Sequence, residues 1–233
     1  MAKKNKRKKP GETGAVSLIT LVDPASPISE QYRTIRTNIH FASPTNDPIK
    51  TMVITSSGQG EGKSTTSANL AVVFATAGQR VLLVDADMRK PTVYRTFNLN
   101  NLRGLSTILS TATDSSEVIQ STGIENLSVL TSGPNPLNAS ELLGSVRMNQ
   151  VIEEVKKMYD IVIFDMPPVV AVTDAQIMAS KTDGTLLVVR ENISRKESLA
   201  KAKELLSMVQ ARMLGVIYNG AEQSRDQGYY YGN

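Results

Sequence analysis

The sequence predicts an α/β fold with a mainly parallel β-sheet that is covered by helices on both faces. Short apolar runs alternate with segments of helical periodicity, a glycine-rich loop joins the first run to a helix, and acids end two later runs. Strands that are buried on both sides of a parallel sheet read as continuous apolar runs. A chain of 233 residues suits one such domain with tails, and its 40% hydrophobic content indicates a globular protein.

Three parts are expected along the chain: a flexible basic arm over 1–27, a domain over 28–220 and a mobile tail over 221–233. Glycine and proline interrupt any regular element in the arm. Six lysines and arginines lie between residues 3 and 9, so the rest of the chain is slightly acidic and no nucleic acid is expected as a partner. The arm could contact an anionic membrane surface or be only a solvated tail.

The domain begins with a predicted helix that follows Ser26 and Pro27, which are typical of a helix N-terminus. Apolar residues recur on it at helical spacing, at Ile28, Tyr32, Ile35 and Ile39. Glu30, Arg33 and Arg36 step by three along the same helix and form an oblique charged row. This row is either an ordinary solvated face or a contact with a neighbouring subunit.

A glycine-rich loop follows the predicted strand 52–54 and matches the phosphate-binding pattern G-x-x-x-x-G-K-[ST], except that Ser57 stands at the first position. Its glycines let backbone N–H groups turn inward around an anion at the start of a helix, whose N-terminus favours negative charge. Lys63 would reach the β and γ phosphates, and Ser64 would bind Mg²⁺. A simple turn between strand and helix is the alternative. The expected nucleotide contacts are Gly58, Gln59, Gly60, Glu61, Gly62, Lys63, Ser64 and Thr65.

Acids follow two later apolar runs. Asp85 and Asp87 come at the end of the run 81–84, and Asp165 ends the run 161–164 in the Walker B form. In parallel α/β sheets ligands bind at this edge, although loop acids also cap turns. Ser64, Asp165 and Asp85 would then hold the metal, which leaves Asp87 to orient a nucleophile or accept its proton. Which of the two close aspartates is the base stays open.

The remaining elements are predicted from periodicity and apolar runs. Helical pieces are expected at 105–109, 116–120, 140–143, 151–158 and 199–209, and strands at 127–130, 185–189 and 213–218. Three adjacent tyrosines in the tail cannot all join one core face, so exposed rings are expected there.

Composition excludes several classes of protein. The chain has no cysteine and one histidine, which excludes disulfides and argues against a structural zinc site. No apolar run approaches the ~20 residues that a membrane-spanning helix needs. The basic start is followed by polar residues rather than by the apolar part of a secretory signal. An intracellular protein is therefore expected.

The phosphate loop, the segment Val84–Pro91 and the strand ending at Asp165 resemble the three Walker motifs of bacterial tyrosine kinases. The row Glu30-x-x-Arg33-x-x-Arg36 is similar to the oligomerisation motif of that family, and the tyrosine cluster is typical of its tails. The resemblance covers residues 26–231 and implies a P-loop NTPase fold of the MinD and ParA group.

The resemblance also implies roles for single residues. Lys63, Asp85 and Asp87 would be catalytic, and Ser64, Asp85 and Asp165 would hold Mg²⁺ beside ATP. Asn219 is similar to an asparagine that contacts adenine in related ATPases, although a simple turn residue is the alternative. The tail residues would be autophosphorylated in trans, within a ring built through Glu30, Arg33 and Arg36. These tail residues are Tyr229, Tyr230 and Tyr231.

Partners and location follow from the same resemblance. It implies a separate transmembrane activator of the polysaccharide chain-length-regulator type, a tyrosine phosphatase, and a cytoplasmic protein recruited to the inner face of the plasma membrane. The process would be capsular or exopolysaccharide synthesis and export. A MinD or ParA-like switch ATPase acting at membrane or DNA is the main alternative, but such proteins usually carry a lysine where this chain has Gly58. A scaffold that binds nucleotide without turnover is a third possibility.

Overall fold

The computed structural model describes residues 15–43, 48–111 and 113–221. Within them, the strands are β1 Thr51–Ser56, β2 Val81–Asp85, β3 Gln120–Ser121, β4 Leu127–Leu130, β5 Ile161–Asp165, β6 Gly184–Arg190 and β7 Met213–Asn219. The helices are α1 Ile19–Val22, α2 Pro27–Ala42, α3 Lys63–Thr76, α4 Val93–Thr96, α5 Leu105–Ser110, α6 Ala139–Gly144, α7 Val146–Met158, α8 Asp174–Ala179 and α9 Lys196–Met208.

The strands form one sheet in the order β3-β4-β2-β5-β1-β6-β7. All neighbours pair in parallel except β3, which runs antiparallel to β4. Every residue of β1, β2 and β5 is buried, because these strands lie in the middle of the sheet with helices on both sides. The predicted mainly parallel sheet is confirmed, and β1 lies at its centre between β5 and β6.

Two separate apolar cores show that both faces of the sheet are covered. Residues of α2 and α3, such as Ile39 and Leu70, pack with one set of strand side chains. Residues of α5 to α9, such as Met148 and Leu206, pack with the set that points the other way. Successive strand residues alternate between the two cores, as the period of a β-strand requires. The acids that end β2 and β5 therefore lie at one edge of a single sheet whose two faces are both covered by helices.

The helix α2 begins where the sequence predicts. Ser26 precedes it and its hydroxyl accepts a hydrogen bond from Ser29 N at 3.2 Å, while Pro27 occupies the first turn. Its apolar residues Ile35 and Ile39 pack into the core beside α3.

The boundary expected for the N-terminal arm is wrong for residues 15–27, while 1–14 lie outside the described residues. Residues 19–22 form α1, and Thr20 is buried against α3. Asn69 accepts hydrogen bonds from the backbone N–H and the hydroxyl of Thr20 at 3.1 and 2.9 Å. Val16 and Leu18 pack against the same core. Proline at positions 24 and 27 predicted irregular structure here, but these contacts hold the segment on the domain.

Two local predictions also need correction. The helical piece expected at 116–120 is only a 3₁₀ turn at Ser115–Glu117, because Asp114 caps Ser116 N and the chain then enters β3. The short helices α4 and α8 follow the acid-bearing strands and were not predicted, since neither is long enough to show helical periodicity.

Among the helices of the described residues, none combines the length and the apolar character that crossing a bilayer demands.

Candidate active site

The glycine-rich loop lies at the carboxyl end of the central strand β1 and leads directly into α3. Gly60 and Gly62 have positive φ angles of 77° and 98°, which residues with a Cβ rarely adopt. Gly62 is the residue before α3, and in the part of the chain that the structure describes no side chain caps the first N–H groups of this helix. The helix N-terminus is therefore available to an anion held in the loop.

Ser57, at the position where the pattern has glycine, is fastened to Glu61. Ser57 N donates to Glu61 Oε2 at 2.8 Å, and the Ser57 hydroxyl lies 2.7 Å from Oε1. Both residues are buried. Both carboxylate oxygens of Glu61 therefore bond to Ser57 within the loop. The contact with nucleotide that was predicted for Glu61 would have to come from its backbone.

The three acids meet at one sheet edge, as predicted. Asp85 and Asp165 are directly paired in the ladder between β2 and β5, and Asp87 lies two residues further along. Lys63 Nζ lies 3.0 Å from Asp87 Oδ2, 3.7 Å from Asp165 Oδ1 and 3.1 Å from Ser64 Oγ. The first turn of α3 and the two strand ends therefore form one cluster.

Burial and crowding of like charges perturb the ionisation of this cluster. Burial, followed by the negative charge of Asp165, raises the pKa of Asp85 to about 8. Burial also raises the pKa of Asp165, against the opposing effects of Lys63 and Ser64. Burial alone would lower the pKa of Lys63, but the charges of Asp165 and Asp87 outweigh it and raise this pKa. The site thus places three carboxyl groups beside one lysine, and burial opposes the ionisation of two of them.

Two carboxylate oxygens in the cluster fit a bound cation. Asp85 Oδ1 and Asp165 Oδ2 are buried and have no hydrogen-bond partner in the described part of the chain. Asp85 Oδ2, in contrast, accepts bonds from Thr92 N and Val93 N at 3.0 and 2.9 Å. The described residues contain no complete cage of three or more acids or histidines. Mg²⁺ suits such an open pair, because it keeps several waters and takes the rest of its ligands from phosphates.

Asn219, at the end of β7, lies against the loop. Its Nδ2 donates to Glu61 O at 3.0 Å, and a Cβ added to Gly62 would lie 2.1 Å from that nitrogen. Asn219 therefore buttresses the loop, and its contact with adenine stays a prediction.

Three contacts of the site were missed from sequence. Ser67 Oγ donates to Asp165 Oδ1 at 3.2 Å. Ser67 follows Lys63 by four residues, which places both on one face of α3, and this spacing could have indicated that Ser67 lies near the same acid. Arg190 Nη1 donates to Gly60 O at 3.0 Å, and an arginine at the end of a strand gave no signal for this. Arg89 forms a bidentate pair with Asp174, 85 residues away in the chain.

The predicted oligomerisation row lies on α2. Glu30 and Arg33 form an exposed ion pair, and Arg33 also donates to Pro24 O. Arg36 turns inward, and its Nη1 donates to Val73 O of α3 at 3.1 Å. The predicted phosphorylation sites Tyr229, Tyr230 and Tyr231 lie outside the described residues.

A glycine loop at the end of a central parallel strand, a lysine opening the next helix and two strand-end acids together define a P-loop nucleotide-binding protein. Residues 49–213 match the family model of the AAA domain. The cell division ATPase MinD of Pyrococcus furiosus shares the fold, with a TM-score of 0.64, 25% identity, and coverage of 76% of this chain and 74% of that one.

More similar proteins narrow the class. Tyrosine-protein kinase YwqD of Bacillus subtilis is 48% identical over 227 residues, which are 97% of this chain and 95% of that protein. A putative tyrosine-protein kinase, CapB of Staphylococcus aureus, is 41% identical over 89% of this chain and 91% of its own. The structure of the chimerical protein CapA2B2 has a TM-score of 0.84 and 43% identity, covering 90% of this chain and 94% of that one. This chain belongs to the bacterial tyrosine-protein kinases and is an enzyme of that class.

Proposed function

We propose that this chain transfers the γ-phosphoryl group of ATP to tyrosine hydroxyls, first of all in the tail of another copy. The observation that carries the proposal is Lys63, which lies between Asp87 and Asp165 at the mouth of the glycine loop. Phosphoryl transfer needs charge neutralisation and positioning more than covalent help from the enzyme, and this cluster provides both.

Nucleotide binding would change the partners of Lys63. Its ammonium is almost buried and is held by carboxylates, so phosphate oxygens in the loop would compete directly with those acids. When Lys63 moves to the β and γ phosphates, Asp87 loses its cation. The ion pair seen here thus keeps Asp87 neutralised until a nucleotide occupies the loop.

Ser64, Asp85 and Asp165 are proposed to hold Mg²⁺. The two unpartnered carboxylate oxygens support this role, and Ser64 is the serine of the P-loop pattern. Bound there, Mg²⁺ would offset negative charge on the phosphates. Ser67 and the backbone of Thr92 and Val93 hold the other oxygens of the two acids, so within the described residues each acid keeps one oxygen without a hydrogen-bond partner in a set direction.

Asp87 is proposed as the base. Asp87 is 5% exposed, whereas Asp85 is 0% exposed and accepts bonds from two backbone N–H groups, so Asp87 is the more accessible of the two close aspartates. Its Oδ2 would take the phenol proton while the phenol oxygen bonds to the γ phosphorus, the bond from that phosphorus to the bridging oxygen breaks, and ADP leaves. A scaffold without turnover would not need Asp87.

Tyr229, Tyr230 and Tyr231 are the proposed acceptors, presented by a neighbouring copy in a ring. Glu30 and Arg33 are half-exposed on α2 and support a role in such a contact. Following the family resemblance, a separate transmembrane activator would recruit the kinase to the inner face of the plasma membrane, and a tyrosine phosphatase would reverse the modification. Capsular or exopolysaccharide synthesis and export would be the process regulated.

The test compares the purified protein with Lys63→Met, Asp87→Asn and a chain ending at Gln227, each incubated with ATP and Mg²⁺, with an activator fragment present. Phosphotyrosine is read by mass spectrometry and hydrolysis by ADP release. We expect tail phosphotyrosine in the unaltered protein, none in Lys63→Met or in the chain ending at Gln227, and a rate lowered about 10²- to 10⁴-fold in Asp87→Asn with ATP binding retained. ATP hydrolysis without any phosphotyrosine would instead support a switch ATPase.

A further inference from the structure

Two arginine–aspartate pairs hold the same two strands, one pair at each end. Arg80 and Asp160 directly precede β2 and β5, at the sheet edge away from the site, and their side chains pair at 2.7 Å. Arg89 and Asp174 lie in the segments that follow β2 and β5, at the edge that carries the acids, and pair at 2.8 Å. The two pairs share their chemistry and join the same strands, but only one is beside the site.

The pair beside the site is the more buried of the two. Arg89 Nε and Nη2 donate to the two carboxylate oxygens of Asp174 at 2.8 and 3.0 Å, and Nη2 also donates to Ser140 Oγ at 3.1 Å. Ser140 Oγ in turn donates to Asp174 Oδ1. Asp174 has 0% of its side chain exposed, compared with 40% for Asp160. Bidentate arginine–carboxylate bonds of this kind fix geometry as well as charge.

Asp87 depends on the segment that contains Arg89. Asp85 and Asp165 are held in register by the ladder, and Ala86 N donates to Asp165 O at 3.0 Å, but Asp87 lies beyond both of these contacts. Asp87 Oδ1 accepts a bond from Lys90 N at 3.0 Å, which makes Asp87 part of the same tight turn as Arg89. The position of the Asp87 side chain relative to Asp165 therefore depends on the contacts that hold this turn, which include the bonds from Thr92 N and Val93 N to Asp85 Oδ2.

We propose that Arg89 and Asp174 are positioning residues that hold Asp87 opposite Lys63 and Asp165. The pair joins the turn after β2 to the start of α8, which follows β5, and so fixes one acid-bearing segment against the other. The side chain of Met88 anchors the same turn in the core, but an apolar contact does not define direction as two parallel hydrogen bonds do. The catalytic part of this inference rests on the proposed phosphoryl transfer.

The first test compares Asp174→Asn with the matched control Asp160→Asn. Each removes the charge of one pair and keeps the size of the side chain. We expect Asp174→Asn to lower kcat for tyrosine phosphorylation about 10- to 100-fold with KM for ATP changed less than about twofold, since a small misplacement of a reacting group has this effect. Asp160→Asn should leave kcat unchanged. Equal kcat values in the two variants would overturn the proposal.

A second measurement does not depend on activity. Amide hydrogen exchange over residues 86–92, measured without nucleotide, should be faster in Asp174→Asn than in the unaltered protein and in Asp160→Asn. Unchanged exchange in this segment would overturn the proposal even if kcat fell. Because exchange reports the turn alone, it also separates this inference from the proposed function: a protein that phosphorylates no tyrosine would still show the change in exchange.

A double variant separates positioning from stability. If Asp174 acts through Asp87, then adding Asp174→Asn to Asp87→Asn should lower kcat less than twofold further, because the group being positioned is already gone. If Asp174→Asn lowered kcat of the Asp87→Asn protein about 10- to 100-fold further, Asp174 would act on something other than Asp87, and this would contradict the proposal. Should Asp174→Asn fold poorly, Arg89→Lys keeps the charge but loses the bidentate geometry, and it should show the same lower kcat and faster exchange. Normal kcat in Arg89→Lys would overturn the role of the pair.

Discussion

At the scale of single residues, Asp85 shows how the site uses burial. The ladder between β2 and β5 places its carboxyl group beside that of Asp165, in a position without access to water. One of its oxygens is satisfied by two backbone N–H groups, and the other has no partner in the described residues. An acid that is held in this way is costly in its charged form until a cation arrives.

The first prediction concerns Asp85 in the metal-free protein. Its pKa of about 8 lies above the ordinary value, so its contribution to the free energy of unfolding is complete at low pH and is lost as the pH rises through about 8. Asparagine does not ionise, so the Asp85→Asn protein does not lose this stability as the pH rises. With a chelator present, we expect its stability relative to the unaltered protein to rise between about pH 5 and about pH 9, by a few kcal/mol, in denaturant titrations.

Asp160→Asn is the control, because the side-chain and backbone donors of Arg80 lower the pKa of Asp160 and its contribution is lost only as the pH falls. Its stability difference from the unaltered protein should stay constant above about pH 5. A constant difference for Asp85→Asn over the same range would show that Asp85 is ionised in the metal-free protein.

At the scale of elements, the loop between β1 and α3 is shaped by residues from three parts of the chain. Ser57 and Glu61 brace it from within, Asn219 of β7 supports Glu61 O, and Arg190 at the end of β6 donates to Gly60 O. The sequence pattern locates the loop, since its residue types are contiguous. The supports could not be predicted, because they come from strands over 120 residues away and depend on the order in which strands pair.

The second prediction concerns Gly62, where an added Cβ would meet Asn219 Nδ2 at 2.1 Å in a backbone with φ of 98°. Gly62→Ala should weaken nucleotide binding at least about tenfold and lower stability by about 1–3 kcal/mol, since a residue with a Cβ is strained there. Gly123→Ala is the matched control: φ is 77°, and apart from the adjoining residues no atom of the described chain lies within 4 Å of the added Cβ. It should lower stability but leave nucleotide affinity, measured by calorimetry, unchanged. Equal affinities in both variants would contradict the role given to the loop shape.

At the scale of the whole molecule, the alternation of apolar runs and helical segments was sufficient to predict the parallel sheet, its covered faces and the edge where the acids meet. Strand order was not predicted, because it depends on crossover connections rather than on any one segment. Residues 15–27 were wrongly assigned to a free arm, since the hydrogen bonds of Thr20 to Asn69 of α3 leave no pattern in the local sequence. Short elements such as α8, which carries Asp174, are also too brief for periodicity to predict.

The third prediction concerns assembly. Glu30→Ala with Arg33→Ala and Arg36→Ala should reduce the mass measured by light scattering and lower phosphorylation between copies, because the exposed pair on α2 is removed. Arg36 also donates to Val73 O within the domain, so its loss could affect the fold. The variant with only Glu30→Ala and Arg33→Ala avoids this and should also have a lower mass and a lower rate of phosphorylation between copies.

The control for assembly is Lys201→Ala with Glu204→Ala, which removes a similarly exposed pair at the same spacing on α9. It should change neither the mass nor the rate of phosphorylation. An unchanged mass in both α2 variants would contradict a contact through α2.

The most direct test of phosphoryl transfer between copies mixes two chains that are each incomplete. Lys63→Met keeps the tail but lacks the lysine of the loop, and a chain ending at Gln227 keeps the site but lacks the three tyrosines. With ATP, Mg²⁺ and an activator fragment, we predict phosphotyrosine at Tyr229, Tyr230 or Tyr231 of the Lys63→Met chain in the mixture, and none in either chain alone. ATP hydrolysis by the mixture with no phosphotyrosine on that tail would contradict the account.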